Sequence, residues 1–348
     1  MPPMDGALII DKPAGMTSHD VVARVRRILG QRRVGHTGTL DPFATGVLVV
    51  LVGRATRLAQ FLSGAEKEYE AVIRLGYATN TGDITGARIV SPSPHAETGS
   101  GGEVGGGPQP HPQSLPTREE RSIPDRAEIE AVMLSLTGEI EQVPPMYSAK
   151  KIAGRKLYEH ARRGEEIERQ PVRVNISEFE LLTGEGEFPR RNEDGTADLS
   201  ARVVCSAGTY IRTLAEDLGV RLGIGAHLAA LRRTRAGRFK INDALTLEEL
   251  TERMASASLA QALIAPGDAI SHLALIELDE EQARRTVQGI DLLLADNEAR
   301  SWNQGDSIRM TSRGELIAVG TFDANSNTVH PAVVIGTAES HSHLASAR

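Results

Sequence analysis

Residues 35–46 read Gly-His-Thr-Gly-Thr-Leu-Asp-Pro-Phe-Ala-Thr-Gly, and the apolar run Val-Leu-Val-Val-Leu-Val follows at residues 47–52. Three glycines and one proline within these twelve residues predict a shaped loop. The apolar run predicts a buried strand over residues 46–52. Catalytic residues concentrate on loops that rigid elements hold in place. Asp41 lies in this loop and is therefore a candidate catalytic residue, although an isolated Asp-Pro pair is more often only a turn.

The segment before the loop predicts a strand followed by a helix. Residues 7–10 are apolar, and a Lys-Pro-Ala-Gly turn sequence follows at residues 12–15. Thr17 or Ser18 can cap a helix that ends at Gly30, because the apolar residues between these points repeat at helical spacing. The arginines of this helix fall outside the apolar stripe, so the helix has one packed face and one basic face.

The rest of the chain alternates between helical and strand patterns. The predicted elements are a short helix over 54–62, a half-buried strand over 69–75, a helix over 129–136, a strand ending at 143, a basic helix over 156–163, strands over 172–182 and 198–205, a helix from 209, a helical connector over 246–263, and short strands over 307–310, 316–320 and 332–335. This order predicts an α+β catalytic part followed by a small β-rich domain.

Residues 91–124 break the pattern, because they are rich in Gly, Pro, Ser and His and contain almost no large apolar side chains. Such a segment cannot bury enough surface to offset the entropy of ordering it. We therefore predict a disordered surface insertion. Its glycines do not indicate a phosphate-binding loop, because no Gly-Lys-Ser/Thr follows them.

Composition limits the class of protein. The chain has 348 residues, 40% of them hydrophobic, which is enough material for a core and for two or three domains. Its longest apolar run is far shorter than the roughly 20 residues that span a bilayer, and we expect neither a signal peptide nor a transmembrane helix. Cys205 is the one cysteine, so no internal disulfide forms and no zinc-ligand spacing exists. These features predict a reducing, cytoplasmic location.

The charge distribution matters more than the formal net charge of −7, which alone argues against a nucleic-acid partner. Residues 241–348 hold 16 acidic and 7 basic side chains, whereas residues 1–240 hold 30 and 32. The basic residues also cluster, with seven arginines over residues 20–60 and seven Lys or Arg over residues 208–240. Such clusters fit a nucleic-acid surface and a solvated face about equally well.

A series of ordered motifs resembles the TruB family of tRNA pseudouridine synthases. The loop at 35–46 matches the family's catalytic loop, and the other matching segments are Asp11-Lys12-Pro13, Lys67-Glu68-Tyr69, Thr81-Gly82-Asp83, Pro145-Met146-Tyr147-Ser148-Ala149, Lys156-Leu157-Tyr158, Gly208-Thr209-Tyr210-Ile211-Arg212-Thr213, Asp217-Leu218-Gly219, Gly225-Ala226-His227 and Leu231-Arg232-Arg233. The match covers residues 7–240. Phe43 and the insertion depart from the pattern, and the C-terminal segment resembles the family's PUA-like domain only loosely.

The resemblance implies a fold and a set of domains. The fold is the α+β pseudouridine synthase fold, with a mixed, largely antiparallel central sheet flanked by helices. The implied domains are a catalytic domain over 1–245, a helical connector over 246–270, a small β-rich PUA-like RNA-binding domain over 271–340 and a flexible tail over 341–348.

The resemblance also implies the activity, which is the isomerisation of uridine 55 in the T-loop of tRNA to pseudouridine. The base flips into a pocket, its N1 glycosidic bond breaks, and C5 rejoins C1′. No cofactor and no metal take part. Asp41 is the implied essential carboxylate, whether it attacks C1′, adds to C6 or assists elimination at the sugar. Arg212 is its implied ion-pair partner, although on pattern alone an arginine off the apolar stripe predicts a surface charge.

The remaining site residues also follow from the resemblance. Tyr69 is implied as the ring on which the base stacks and as a candidate proton acceptor, while Tyr210 and Leu231 complete the uracil pocket. On pattern alone, Tyr69 and Leu231 are core residues. His36 is implied as an RNA contact beside the flipped nucleotide. Lys12 is more typical of a residue that shapes the structure near the site than of one that takes part in the chemistry.

The implied partner is the T-arm of tRNA, with no membrane, no required protein or guide RNA, and a monomeric chain. Three alternatives stay open: an RNA-binding or RNA-folding protein whose chemistry is secondary, a guide-RNA-dependent relative acting in a larger particle, and a glycoside hydrolase. A hydrolase needs two carboxylates about a sugar, whereas the Asp41 loop offers one.

Overall fold

The computed structural model describes residues 4–89, 123–148, 151–152, 155–157, 160, 163, 165, 167–182, 188–295 and 301–336. The predicted insertion lies outside the described residues except at its last two positions, and the predicted tail over 341–348 lies wholly outside them. Half of the predicted basic helix over 156–163 also falls outside; its first residue, Lys156, belongs to a short strand.

The described chain contains both helices and strands. The strands are β1 (Gly6–Lys12), β2 (Val34–Thr37), β3 (Thr45–Val52), β4 (Lys67–Leu75), β5 (Gly138–Gln142), β6 (Lys151–Ile152), β7 (Arg155–Lys156), β8 (Val172–Leu181), β9 (Arg190–Arg191), β10 (Ala197–Cys205), β11 (Ala226–Ala236), β12 (Phe239–Lys240), β13 (Ala274–Glu277), β14 (Leu292–Leu293), β15 (Ser307–Ser312), β16 (Glu315–Asp323) and β17 (Thr328–Val334). The helices are α1 (Ser18–Leu29), α2 (Ala59–Ser63), α3 (Arg126–Ser135), α4 (Ile211–Arg221), α5 (Leu247–Ala255), α6 (Pro266–Ala269) and α7 (Glu280–Val287), with 3-10 turns at Gly53–Leu58, Ile241–Asp243 and Leu259–Gln261.

The described residues form two compact units. One unit is drawn from Met1–Leu40, Val47–Gly64 and Phe239–Arg348, and the other from Asp41–Gly46 and Ala65–Arg238. Strand β3 begins in the second unit and continues into the first. The predicted division into a catalytic domain, a connector and a PUA-like domain stays a prediction.

The second unit contains a mixed, largely antiparallel sheet. Strand β4 is central and pairs antiparallel with β10 on one side and β11 on the other; β8 and β5 extend the sheet beyond β10. The one parallel pair within this unit's described sheet joins β11 to the first residues of β3. Every second residue of β4 is buried, as the alternation in the sequence predicts.

Two helices pack on this sheet. Helix α3 packs on β8, and α4 packs on β11. Ile129 and Met133 of α3 are buried, and so are the apolar residues on the inner face of α4. The prediction of an α+β fold with helices flanking a mixed sheet is therefore confirmed.

The first unit begins with the predicted strand and helix. Strand β3 lies between β1 and β2, and α1 buries its apolar stripe against the same core as Leu8, Ile10 and Leu250. Thr17 caps α1 with a hydrogen bond from the backbone N–H of Asp20 (3.1 Å), and Gly30 ends the helix at φ 61°. Of the two predicted caps, Thr17 is therefore the one used.

A second, β-rich sheet occupies the C-terminal part of this unit, as predicted. Its strand order is β13-β15-β16-β17-β14. Helix α7 was not predicted, because its apolar residues Ala283 and Val287 are too few to form an apolar stripe. Within the described residues, no helix is both long enough and apolar enough to cross a membrane.

Candidate active site

The loop that carries Asp41 is fixed on both sides. The backbone N–H of Ala44 donates to the carbonyl of Asp41 (3.1 Å), which closes a turn over Pro42. The hydroxyl of Ser18 bonds both backbone groups of Leu40, the residue before Asp41. At the other end Gly46 has φ 101°, and a Cβ there would lie 2.2 Å from the carbonyl oxygen of Arg233. Glycine is required at this position because β11 approaches so closely.

Arg212 binds Asp41 directly. Its Nε lies 2.9 Å from Oδ2 of Asp41, and its Nη2 lies 3.3 Å from Oδ1. The same guanidinium donates to the backbone carbonyls of Thr81 (2.9 Å) and Tyr147 (2.7 Å). The Arg212 side chain is 5% exposed, whereas that of Asp41 is 35% exposed. The arrangement presents an ionised carboxylate to solvent and holds its counter-charge behind it.

A second carboxylate stands near Arg212. Asp83 is 7% exposed, and its Oδ2 lies 3.9 Å from Nη1 of Arg212. Its Oδ1 accepts hydrogen bonds from the hydroxyls of Thr81 (2.9 Å) and Thr85 (2.5 Å) and from the backbone N–H of Thr85 (2.9 Å). Asp83 therefore organises the turn whose Thr81 carbonyl receives Arg212.

Tyr69 and Leu231 both lie on the buried face of the sheet. Each is 7% exposed, in agreement with the core positions that the pattern alone predicts. Burial raises the pKa of the Tyr69 phenol, and the positive charge of Arg233 acts in the opposite direction. The charge of Asp41 also raises this pKa, so the two side chains lie close enough to interact electrostatically. The roles of Tyr69 in stacking and of Leu231 in the pocket stay predictions.

Tyr210 stands at the start of the helix that carries Arg212. It is the N-cap residue of α4, and its backbone is held by Gln142, whose side chain accepts from Tyr210 N–H (3.0 Å) and donates to its carbonyl (3.3 Å). Its half-buried side chain is two residues from Arg212. Its part in a uracil pocket stays a prediction.

His36 and Lys12 belong to the first unit. The His36 ring packs edge-on against His19 with 5.4 Å between the ring centroids, and its role as an RNA contact stays a prediction. Lys12 is fully buried, and its Nζ donates to the carbonyls of Pro13 (2.9 Å) and Met16 (2.6 Å). These bonds fix the turn before α1, which fits a structural role.

Two family models together match most of the chain. The model for the N-terminal domain of TruB family pseudouridylate synthases matches residues 26–100 and 113–211, and the model for the C-terminal domain of tRNA pseudouridylate synthase B matches residues 212–271. The chain belongs to the TruB family. Asp41 and Arg212 both lie within these matched segments.

Curated relatives agree with this membership. A tRNA pseudouridine synthase B of Geobacillus thermodenitrificans is 46% identical over 291 residues, which is 84% of this chain and 86% of that protein. One from Thermobifida fusca is 46% identical over 82% of this chain and 85% of its own length, and one from Aromatoleum aromaticum is 41% identical over 96% and 94%. The chain is therefore a tRNA pseudouridine synthase of the TruB family.

Solved structures resemble this TruB-family chain over nearly its whole length. A chain from the crystal structure of a Cbf5-Nop10-Gar1 complex matches with a TM-score of 0.67 at 26% identity, over 96% of this chain and 86% of that chain. A chain from the archaeal box H/ACA sRNP Nop10-Cbf5 complex matches with a TM-score of 0.64 at 26% identity, over 95% and 86%.

Three residues of this TruB-family chain received no role from the sequence: Asp83 and Glu216, which lie near Arg212, and Arg233, which pairs with Tyr69. The sequence pointed to Asp83 and Arg233 only in that both lie in motifs that match the family. Glu216 follows Arg212 by one helical turn, and a Cβ on Gly82 would lie 2.5 Å from its Oε1. Burial raises the pKa of Glu216 to about 7, against the lowering effect of the Arg212 charge. Among the described residues, no group of three or more His, Cys, Asp or Glu side chains could hold a metal ion.

Proposed function

We propose that the chain isomerises uridine 55 in the T-loop of tRNA to pseudouridine and that Asp41 is the carboxylate that drives the reaction. The observation that carries the proposal is the Asp41–Arg212 pair, in which a buried guanidinium holds a solvent-accessible carboxylate on the loop that matches the TruB family. The curated names of the relatives support tRNA as the substrate.

The proposed reaction rearranges bonds without net addition or loss of atoms. The bond between N1 of uracil and C1′ of ribose breaks, the base rotates, and C5 bonds to C1′. C5 then gives up its hydrogen as a proton, and N1 takes up a proton. Asp41 attacks C1′, adds to C6, or assists elimination at the sugar, and each of these routes requires the ionised carboxylate that Arg212 stabilises. Its 35% exposure leaves Asp41 accessible to a flipped nucleotide.

The test is tritium release from tRNA labelled at C5 of uracil, with the purified chain as the only macromolecule added. Rejoining through C5 expels that hydrogen, so we expect release equal to one uridine per tRNA. A transcript with cytidine at position 55 is the matched control and should release none. Binding without release would support the RNA-binding alternative, and free uracil in solution would support a hydrolase. Release that requires an added guide RNA would support the particle-bound alternative.

We propose that the chain acts as a cytoplasmic monomer without a guide RNA or protein partner, and that the β-rich C-terminal sheet contributes to tRNA binding. The relatives named for tRNA are 39–46% identical to this chain, whereas the chains from ribonucleoprotein complexes are 25–26% identical. The identities therefore favour a stand-alone tRNA enzyme.

The basic face of α1 should contribute phosphate contacts. Arg24 and Arg27 are exposed on this helix, opposite its buried stripe. Each arginine that neutralises a phosphate contributes about 0.7 to 0.9 to the slope of log affinity against log salt concentration. Replacing both with glutamine should therefore flatten the slope and weaken tRNA binding. Filter binding at several salt concentrations measures the slope.

The matched control for this prediction replaces Arg126 of α3 and Arg173 of β8, two exposed arginines that belong to neither basic cluster. The change in total charge is the same in both variants. An equal effect of the two replacements would mean that total charge determines the slope, and the basic face of α1 would then be only a solvated surface.

A further inference from the structure

Polar residues occupy the buried face of the sheet beside Tyr69, where apolar side chains are usual. Lys67 and Tyr69 are two residues apart on β4 and therefore point to the same side. Cys205 of β10 pairs with Lys67, and Arg233 of β11 pairs with Tyr69, so all four side chains share this face. Arg233 is only 1% exposed and is among the largest fully buried side chains described. Burying a guanidinium is costly unless it is bonded, so this position points to a specific purpose.

A β-bulge between Leu228 and Ala230 moves the inward positions of β11 from Ala230 and Arg232 to Leu231 and Arg233, and a second bulge turns Arg235 outward. The pairing of β11 with β4 shifts between Arg233 and Arg235, which leaves Thr234 as the extra residue. In a regular strand, Arg233 and Arg235 would point to the same side. Instead Arg235 lies on the outer side with Glu66 (2.8 Å), and Thr234 donates to Glu68 (2.9 Å). Bulges next to active sites commonly redirect a side chain in this way.

The group that Arg233 faces is the phenol of Tyr69. Burial raises the pKa of the Tyr69 phenol above its ordinary value, the charge of Arg233 and its hydrogen bond to the phenol oppose that increase, and Cys205 and Asp41 add to it. Burial lowers the pKa of Lys67 to about 8, and the charge of Arg233 adds to that effect. Arg233 is therefore the permanent cation of this cluster, and Lys67 is a titratable one.

We propose that Arg233 is a positioning residue for Tyr69, which holds the phenol oxygen in place and stabilises its phenolate form for removal of the C5 proton. The proposal rests on the isomerisation proposed above. In this step the C5–H bond breaks, its electron pair forms the C5=C6 double bond, the C6=N1 π bond breaks and its pair moves to N1, and the phenolate oxygen takes the C5 proton. The phenol returns this proton to solvent, and N1 of the product takes one up from solvent, so the protons balance.

The first test is a double-mutant comparison of single-turnover tritium release. Arg233→Gln should slow release on the order of 10²-fold, because proton transfer by a positioned base contributes about 10²- to 10⁴-fold. In a Tyr69→Phe background, where no hydroxyl remains, the same replacement should add less than about 3-fold. An equal loss in both backgrounds would overturn the proposal, because Arg233 would then act through the fold alone.

An isotope effect separates a defect in proton removal from a general loss of activity. With tRNA carrying deuterium at C5, Arg233→Gln should show a larger primary isotope effect than the unchanged chain. Arg233→Lys keeps the charge and should restore part of the rate. The matched control is Arg202→Gln, which removes a partly buried arginine on the outer face of the same sheet, where Arg202 bonds Glu68 (3.0 Å) and Glu178. An isotope effect that stays constant in Arg233→Gln would overturn the proposal.

A titration without RNA tests the contact independently of the reaction. Carbon-13 labelling of the tyrosine ring, with Tyr69→Phe to assign the signal, reports the phenolate fraction against pH. We expect Tyr69 to ionise at higher pH in Arg233→Gln than in the unchanged chain. In Arg233→Lys, the titration of Tyr69 should stay closer to that of the unchanged chain. Identical titration in all three would overturn the proposal even if tRNA is isomerised. If the unchanged chain releases no tritium, the proposed function is refuted, but the contact between Arg233 and Tyr69 is not.

Discussion

Asp41→Asn is expected to lower tritium release by at least about 10⁴-fold, because the replacement of an essential catalytic group has effects of this size or larger. The amide keeps the shape of the side chain but cannot supply an anion for any of the three routes. Because the change leaves the loop and the basic surfaces intact, tRNA affinity should stay within a few-fold of the unchanged chain. Single-turnover release and filter binding measure the two quantities separately.

The matched control for Asp41→Asn is Asp125→Asn. Asp125 is an exposed carboxylate in the same unit that caps α3 by accepting from the backbone N–H of Glu128 (2.9 Å). Asparagine caps helices about as well as aspartate, so this variant should keep full activity and stability. Substantial tritium release by pure Asp41→Asn protein would show that Asp41 is not the essential carboxylate.

The sequence predicted the architecture well where periodicity was strong. Strand β4 alternates as expected, and α1 (Ser18–Leu29) lies between Thr17, one of the two predicted caps, and the predicted stop residue Gly30. Strand β11 was not predicted, because Arg232, Arg233 and Arg235 break any apolar alternation. Its inward side is set by a bulge, and a bulge depends on pairing with β4 rather than on local sequence.

The site depended on contacts between residues far apart in the chain. From its helical spacing alone, Arg212 is predicted to be a surface residue. It is buried and binds Asp41, which lies 171 positions away in the chain, and local spacing cannot indicate such a contact. Only the resemblance to the TruB family linked the two residues in advance. Thr81 and Tyr147 lie in motifs that match the family, but nothing in the sequence indicated that their carbonyls bind Arg212, because any residue supplies a backbone carbonyl. The burial of Tyr69 was predicted from pattern, whereas its contact with Arg233 was not.

Arg212→Met should lower turnover on the order of 10²- to 10³-fold, which is the usual effect of removing one preorganised charged or hydrogen-bonding group from a closed site. Methionine fills much of the same volume, but it leaves Asp41 without its counter-charge and the carbonyls of Thr81 and Tyr147 without their donor. The loss should appear in kcat with little change in tRNA affinity, because the guanidinium is buried behind the carboxylate. Steady-state kinetics and binding separate these effects.

Two further variants decide how Arg212 acts. Arg212→Lys keeps the positive charge, but a single ammonium cannot reproduce the planar set of bonds to Asp41 and two carbonyls, so its activity should fall between those of Arg212→Met and the unchanged chain. Arg221→Met removes an exposed arginine from the last turn of the same helix, where it bonds Ser135 (3.0 Å), and should keep full activity. If Arg212→Met folds and turns over within a few-fold of the unchanged chain, the ion pair is structural. If Arg212→Lys is as inactive as Arg212→Met, the planar geometry of the guanidinium matters more than its charge.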